Sequence, residues 1–391
     1  MSVNQPPRDA RAETPPGNRY DRMEWAGAFG DLGTLIPFIV AYISVLKMDP
    51  MGILFAFGVA MVVCGMYYRT PFPVQPMKAI GAVAAVQAAQ TAVVTPEAVY
   101  AAALVTGIIW LVLGLTGLST RLARLVPPPV VAGIVLGLGL GFMLEGTKMM
   151  QSSWFIAAIG AAVTLLLLKS RTFPAMFALL AFGAAVGAYQ RPDLLGPLAG
   201  SSLDMRAPRF VLPSLGWSDL FVGAVLLALP QVPLTLGNAV IAIKEENNRL
   251  FPNAPVTEKS VSVSTGVMNL FGSIVGGIPM CHGAGGMAGH IAFGARTGGA
   301  VVILGTLLLV LAVFFSASVE HLLQLLPAAV LGVILFLTGV QLALGSLPSQ
   351  ATRSHAFVML ATAGVAMWNV AIAFGVGLVL WQLAKRGRLE A

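Results

Sequence analysis

Long apolar runs, each near the length that crosses a membrane, follow one another along most of this chain and are separated by short polar breaks. A transmembrane helix needs about 20 residues, and fewer where it is broken inside the membrane. On this scale the pattern predicts fourteen segments, and we expect an all-α polytopic membrane protein. The segments are residues 26–46, 50–68, 76–92, 97–118, 128–146, 153–169, 172–188, 218–243, 259–276, 282–292, 299–317, 325–345, 354–366 and 368–384.

The fourteen segments divide into two sets of seven that resemble each other. Placing Pro128 on Pro327 aligns the apolar residues that follow at an offset of 199, and placing Pro76 on Pro279 needs an offset of 203. Similar offsets at two places indicate a duplicated unit. Because seven is odd, the second copy enters the membrane from the opposite side. The predicted fold is therefore a seven-plus-seven inverted repeat that includes two half-helices.

Polar stretches mark the boundaries of the two copies. Residues 1–22 hold four prolines and four arginines and lack the apolar core of a signal peptide, which predicts a disordered cytoplasmic tail. The first repeat is expected at residues 23–188 and the second at residues 218–386. An extracytoplasmic linker, residues 189–217, separates them.

Composition supports a membrane protein and excludes other classes. Hydrophobic residues make up 57% of the chain and charged residues only 10%, against about 25% charged residues in soluble domains. The net charge of +7 comes from residues between apolar spans, so it sets orientation and does not indicate nucleic-acid binding. The two cysteines, Cys64 and Cys281, lie in apolar surroundings and imply no disulfide framework.

The positive charges also predict an orientation. With the N-terminus inside, 17 of the 23 Lys and Arg residues fall in cytoplasmic segments, five fall outside and Lys78 lies within the membrane. This bias satisfies the positive-inside rule. We expect a multi-pass protein of the cytoplasmic (inner) membrane, surrounded by lipid, with both termini in the cytoplasm.

Two proline-containing breaks, residues 70–79 and 277–286, sit at corresponding places in the two halves. Such paired breaks are the best sequence pointer to the substrate site of a secondary transporter. Pro76 and Pro279 suit the first position of a helix, so the following N–H groups would face a common centre and attract a tetrahedral dianion. Gly283 and Gly285 would let an oxyanion approach the backbone. Helix packing through a G-x-x-x-G face is the alternative for these glycines.

Lys78 and Asp31 are the charged residues that the pattern places deepest in the membrane. A lysine in an apolar span normally faces a partner or an aqueous cavity. We expect Lys78 to bind the anion and Asp31 either to pair with Lys78 or to take up a proton as the anion arrives. A helix-capping role is the alternative for Asp31.

Other polar residues at membrane depth have competing interpretations. Gln231, Thr235 and Asn238 suit contacts with an oxyanion or hydrogen bonds between helices. Cys281 and His282 are adjacent, but neighbouring side chains on a helix point apart, so they do not form a catalytic pair. A zinc site would need about four ligands, and we expect neither a metal nor any other cofactor.

Four motifs together resemble the molybdate transporter family, which is related to the sulfate permeases. They are residues 30–34 (GDLGT), 73–78 (PVQPMK), 233–238 (PLTLGN) and 279–286 (PMCHGAGG), the last followed by residues 293–296 (FGAR). The resemblance covers nearly the whole chain.

This resemblance implies a core domain, residues 23–118 and 218–317, and a gate domain, residues 125–188 and 325–386. It implies secondary active import of molybdate and a homodimer formed through the gate domain. Asp31, a lone acid beside a site for a dianion, is the coupling candidate, and a proton or cation is the expected coupling ion. A transporter of sulfate or another small anion is the alternative, and an intramembrane enzyme using Cys281 and His282 is the third hypothesis. The expected substrate-binding residues are Asp31, Thr34, Gln75, Pro76, Met77, Lys78, Gln231, Thr235, Asn238, Met280, Cys281, His282, Gly283, Ala284 and Gly285.

Overall fold

The computed structural model describes residues 17–44, 46–78, 80–81, 94–168, 170, 172–196, 205–347 and 352–386. Most of the predicted tail, residues 1–16, therefore lies outside the described residues. The same holds for the third segment beyond residue 81, for residues 197–204 of the linker and for the chain after residue 386.

The described residues of the first half form six of the seven predicted segments and the start of the third, which is described to residue 81. In α1 a 3-10 turn, Phe29–Asp31, joins Arg22–Ala28 to Leu32–Ser44, and α3 begins at Lys78. The other helices are α2 (Pro50–Tyr68), α4 (Pro96–Leu115), α5 (Pro128–Met150), α6 (Trp154–Leu167) and α7 (Ala175–Gln190).

The second half repeats this order. Its helices are α8 (Trp217–Leu250), α9 (Glu258–Val275), α10 (Ala284–Ala292), α11 (Gly299–Phe315), α12 (Ala328–Ser346), α13 (Arg353–Ala366) and α14 (Val370–Lys385). The last two predicted segments are thus separate helices, which pack against each other.

The eighth segment was predicted to end at residue 243, and this end is wrong. α8 continues to Leu250 because its polar last turns are held by charge pairs along the helix, including Arg249 with Glu246 at 2.8 Å. Two stretches of α8, Val222–Ala228 and Thr235–Ala242, have π-helical hydrogen bonding. Prolines at positions 230 and 233 interrupt the ordinary ladder between them.

Two short helices were not predicted. Leu118–Arg124 follows α4 and Val319–Gln324 comes shortly after α11, at corresponding places in the two halves. They are short and carry charged residues such as Arg121 and Glu320, so a search for apolar spans does not detect them.

Local capping explains several helix starts. Asp49 precedes Pro50 and its carboxylate accepts a hydrogen bond from the N–H of Met51, while Thr95 caps α4 in the same way before Pro96. A polar N-cap followed by proline fixes a helix start, since proline has no N–H to leave unpaired.

Among the described residues, six helices are long and apolar enough to cross a membrane. They are Arg22–Ile43, Pro50–Tyr68, Pro96–Leu115, Pro128–Met150, Trp217–Leu250 and Gly299–Gln324. Four shorter apolar helices, Trp154–Leu167, Ala175–Gln190, Ala328–Leu344 and Ile372–Lys385, accompany them.

The helices pair across the two halves in a symmetric manner. α2 packs on α11 and α4 packs on α9, which are equivalent pairs once the halves are exchanged, and α5 packs on its own counterpart α12. Small residues bring the backbones close: a Cβ at Gly58 would lie 2.8 Å from the carbonyl of Gly305.

The linker and the start of α1 lie at opposite ends of the bundle. In the linker, Arg206 N–H donates to Val313 O at the end of α11, and Val211 N–H donates to Ile274 O at the end of α9. At the other end, which we call the α1 end, Arg22 donates to Thr172 O just before α7.

Candidate functional site

A short antiparallel strand pair joins the two halves where the half-helices start. Strand β1 (Gln75–Pro76) pairs with β2 (Met280–Cys281), and Met77 N–H donates to Pro279 O at 2.9 Å. The prediction that Pro76 and Pro279 open the half-helices is therefore wrong. The two prolines lie in extended segments because the chain reaches the middle of the bundle as strands and becomes helical only afterwards.

The helix starts lie just beyond these strands. α3 begins at Lys78, and α10 begins at Ala284 with Gly283 as its N-cap residue. The first N–H groups of a helix have no partner within it and carry the positive end of the helix dipole. The two half-helices thus begin on either side of one strand pair.

Asn269 on α9 fixes the backbone of β2. Its side-chain amide donates to Met280 O at 2.6 Å and accepts from Met280 N–H at 2.8 Å. Met280 and Met77 are fully buried next to this clamp. Sequence reasoning missed Asn269, since an asparagine inside an amphipathic helix gives no sign of its partner.

A buried hydrogen-bonded group connects α1 to β1. Thr34 Oγ1 donates to the Asp31 carboxylate, and Gln75 Nε2 donates to Asp31 Oδ1 at 2.6 Å and to Thr34 Oγ1 at 2.7 Å. All three side chains are buried. These hydrogen bonds bring together Asp31, Thr34 and Gln75, three of the residues that the sequence analysis proposed for the site.

Gln75 also meets α8 and α10. A Cβ at Gly283 would overlap Gln75 Oε1 and lie 3.3 Å from Asn238 Nδ2, so these three residues pack closely together. Asn238 lies in the π-helical stretch of α8, a feature often found at functional sites. Gln231 and Thr235, seven and three residues before Asn238, hydrogen-bond to each other at 3.0 Å.

Lys78 packs against an aromatic ring contributed by α5. Its Nζ lies 3.8 Å from the ring centroid of Phe142, and the same ring packs against Gly285. Within the described residues Nζ has no hydrogen-bond partner, so the expected ion pair with Asp31 is not formed in this structure. Sequence reasoning missed Phe142, because nothing in a glycine-rich span singles out one phenylalanine as the neighbour of a lysine far away in sequence.

Cys281 and His282 have separate roles in this geometry. His282 Nδ1 bonds to Pro73 O at 2.7 Å, and its Nε2 bonds to Ser264 Oγ at 2.8 Å. Both ring nitrogens therefore hold the chain in place, and neither is directed to Cys281. Cys281 is buried in β2, opposite Gln75. In the part of the chain that the structure describes, no three His, Cys, Asp or Glu side chains are grouped as metal ligands.

Comparison with known proteins gives the family. A family model described as "Molybdate transporter of MFS superfamily" matches residues 23–142 and 223–342, one range in each half and 200 residues apart. The chain belongs to this molybdate transporter family. Molybdate transporter 2 of Arabidopsis thaliana is 31% identical to it over 94% of this chain and 88% of that protein. The family consists of transporters, so the enzyme hypothesis is excluded.

Solved structures confirm the fold of this molybdate transporter family member. The transmembrane domain of a cyanobacterium bicarbonate transporter, BicA, matches with a TM-score of 0.54 and 16% identity, over 90% of this chain and 97% of that one. Murine Solute Carrier 26 family member A9, an anion transporter solved in the inward-facing state, matches with a TM-score of 0.59 and 14% identity, over 94% and 69%. The predicted seven-plus-seven inverted repeat is confirmed, and the protein is a multi-pass anion transporter.

Proposed function

We propose that this protein is a secondary active importer of molybdate that holds the anion between the starts of α3 and α10. The observation that carries the proposal is the buried ammonium of Lys78, which has no hydrogen-bond partner among the described residues and stands where the two half-helices begin. A buried cation is costly unless something compensates it. A tetrahedral dianion would do so and would also meet two positive helix ends.

The proposed binding residues share one region around the strand pair. Lys78 supplies charge, Gln75 and Asn238 supply polar side chains, and Gly283 and Gly285 give access to the backbone. The remaining candidates, Thr34, Pro76, Met77, Gln231, Thr235, Met280, Cys281, His282 and Ala284, would shape or support this pocket.

Asp31 is proposed as the coupling residue, with a proton as the coupling ion. Its Oδ2 is buried and has no partner among the described residues, although Oδ1 accepts two hydrogen bonds. A carboxylate so close to a dianion site would repel the substrate. Protonation of Asp31 removes that repulsion, which links substrate entry to a proton and makes the protein a symporter.

Helix packing favours a division into a core domain and a gate domain with the bounds predicted above. α2 packs on α11 and α4 on α8 and α9 within the core, while α5 packs on α12 and α13 within the gate. α10 touches α12 across the boundary.

We propose that the α1 end faces the cytoplasm, in the inner membrane. Exposed apolar residues on α6, such as Phe155 and Leu166, suit lipid or a second copy in a homodimer.

Competition binding tests the substrate. Purified protein is titrated with molybdate by calorimetry, alone and in the presence of tungstate or sulfate. We expect tight molybdate binding, competition by tungstate, which has the same charge and shape, and weak competition by sulfate, which is smaller. Sulfate binding as tight as molybdate binding would favour the alternative, a transporter of sulfate or another small anion on the same fold.

A further inference from the structure

His290 is a buried histidine near the end of α10, outside the proposed binding residues. Its side chain is fully buried, and Nδ1 lies 2.8 Å from Gly27 O on α1. A carbonyl oxygen can only accept a hydrogen bond, so Nδ1 carries the hydrogen. In the neutral ring the other nitrogen, Nε2, then holds a lone pair and can accept a proton.

Two buried acceptors without a donor occur along the same helix contact. Within the described residues, neither His290 Nε2 nor Asp31 Oδ2 has a hydrogen-bond partner. Buried polar atoms normally have hydrogen-bond partners, so each of these two atoms needs an explanation. One proton shared between these groups would supply the missing donor.

The contact of α1 with α10 brings Asp31 and His290 near each other. A Cβ at Gly286 would lie 2.8 Å from Asp31 Oδ2, and His290 follows Gly286 by four residues, while Asp31 follows Gly27 by four residues on α1. Residues four apart on a helix have Cβ positions about 5–6 Å apart, so Asp31 Oδ2 lies about one helical turn from the base of the His290 side chain. Groups one helical turn apart can exchange a proton through a bridging water molecule.

Among the described residues, the other charged groups on the elements packed around α10 have partners, whereas the neutral hydroxyl of Tyr42 on α1 has none. Glu24 of α1 accepts hydrogen bonds from backbone N–H groups at the start of α11, and Arg296 donates to the carbonyls of Ile291 and Ala295. Charged residues near the ends of α8 and α5 form ion pairs, namely Lys244 with Glu245, Arg249 with Glu246, and Lys148 with Glu145. Arg22 of α1 donates a hydrogen bond to Thr172 O. Asp31 is the acid that remains open to His290, while Lys78 lies over the ring of Phe142.

A cavity adjoins His290 at the α1 end. It has a volume of about 640 Å³ and is lined by Ile291 and Ala292, which directly follow His290, and by Met23 of α1. Along α10, the fully buried His290 thus lies between Gly286, which faces Asp31, and the residues that line this space.

We propose that His290 is the second proton-carrying group of this transporter and passes the proton of Asp31 to the cavity at the α1 end. The protonated carboxyl of Asp31 gives its proton to His290 Nε2 and becomes a carboxylate. The imidazolium then releases the same proton to water in the cavity and returns to the neutral ring. One proton moves and no electron is transferred. This route rests on the proposed proton coupling and gives the proton a path separate from that of the anion.

His282 shows why His290 is distinctive. Both histidines are fully buried, but His282 has a partner at each ring nitrogen, whereas His290 has one at Nδ1 alone among the described residues. A histidine that only braces the fold would be expected to resemble His282.

The test uses proteoliposomes with a pH-sensitive dye inside and a molybdate gradient across the membrane. His290→Asn keeps an amide that can donate to Gly27 O but cannot accept and release a proton. We expect molybdate-driven acidification to fall by about tenfold or more, while calorimetry shows that the variant still binds molybdate. His290→Gln serves as a second variant if the first does not fold, and exposed His355→Gln is the control expected to match the wild type.

Acidification at the wild-type rate in a folded His290 variant would overturn the route. So would wild-type protein that carries molybdate without any proton. Failure of the wild type to bind molybdate would instead overturn the proposed function, and the binding arm makes these two failures distinguishable.

Discussion

Lys78 places a positive charge in the buried interior of the site without an ion-pair partner among the described residues. Its ammonium is buried beside Phe142 and is not neutralised by the nearby carboxylate, which is already bonded to Thr34 and Gln75. A ring face compensates a desolvated cation only partly, by about 2 kcal/mol. The charge therefore remains available to an anionic substrate.

Lys78→Ala should weaken molybdate binding by about 100-fold, because it removes the one full positive charge of the site. Lys78→Arg should also bind poorly, since the planar guanidinium occupies the space of the ligand. Calorimetry on purified variants measures both. Exposed Lys148→Ala is the control, and a Lys78→Ala protein that binds as the wild type does would remove the lysine from the site.

Asp31→Asn should retain molybdate binding and lose the pH dependence of uptake. The amide imitates the protonated carboxyl, and its Oδ1 can still accept from Gln75 Nε2. Uptake is measured with labelled molybdate between pH 5 and pH 8, a range chosen as a rough span around the reference values for acidic groups and histidine. An unchanged pH profile would leave Asp31 with a structural role only.

Cys281→Ser should keep most of the molybdate uptake. The thiol is buried in β2 and His282 is bonded elsewhere, so no covalent step depends on it. Uptake into cells that express matched amounts of the two proteins checks this. Complete loss of uptake by a folded variant would contradict the assignment of Cys281 as a residue that only lines the site.

At the scale of helices and strands, the sequence predicts spans better than it predicts their ends inside the membrane. α2 lies at the predicted residues 50–68 because polar residues and a proline mark both ends. The half-helices start later than predicted because Pro76 and Pro279 take part in strands, and that pairing depends on residues about 200 positions away. Hydropathy is a local property and contains no information about such a partner.

The candidate site was predictable to a similar extent. The two breaks, Lys78 and Asp31 stand out because charge and proline are rare inside apolar spans. Phe142 and Asn269 do not stand out in the sequence, since phenylalanine and asparagine are common in helices. Their contacts are made only in the folded bundle.

Glu24 is the acid that caps a neighbouring helix, and its removal should destabilise the fold. Its buried carboxylate accepts hydrogen bonds from the N–H groups of Arg296, Thr297 and Ala300 around the start of α11. Glu24→Ala should cost about 2–4 kcal/mol, because three donors lose a charged acceptor. Thermal unfolding in detergent measures the loss. Asp21→Ala removes only an exposed N-cap and should cost about 1 kcal/mol; equal effects would contradict the special role of Glu24.

The whole molecule has two ends that differ in charge, and this difference predicts its orientation. Cysteines introduced at Arg206 and Arg249 would both be exposed, but at opposite ends of the bundle, while the native Cys64 and Cys281 are buried. A membrane-impermeant thiol reagent applied to intact cells should label position 206 and leave position 249 unlabelled. The reverse pattern would overturn the proposed cytoplasmic location of the α1 end.

The strand pair also has a consequence for the order of events during synthesis. Met77 N–H finds its acceptor, Pro279 O, only when about 200 further residues have been made. At typical translation rates that interval is about 10–40 s. Throughout it, an extended segment with unpaired backbone groups must wait within the first half, where lipid offers no substitute partner. The nascent first half is therefore the stage at which this protein is vulnerable to misfolding. We expect the membrane insertion machinery to protect it until the second half has been synthesised.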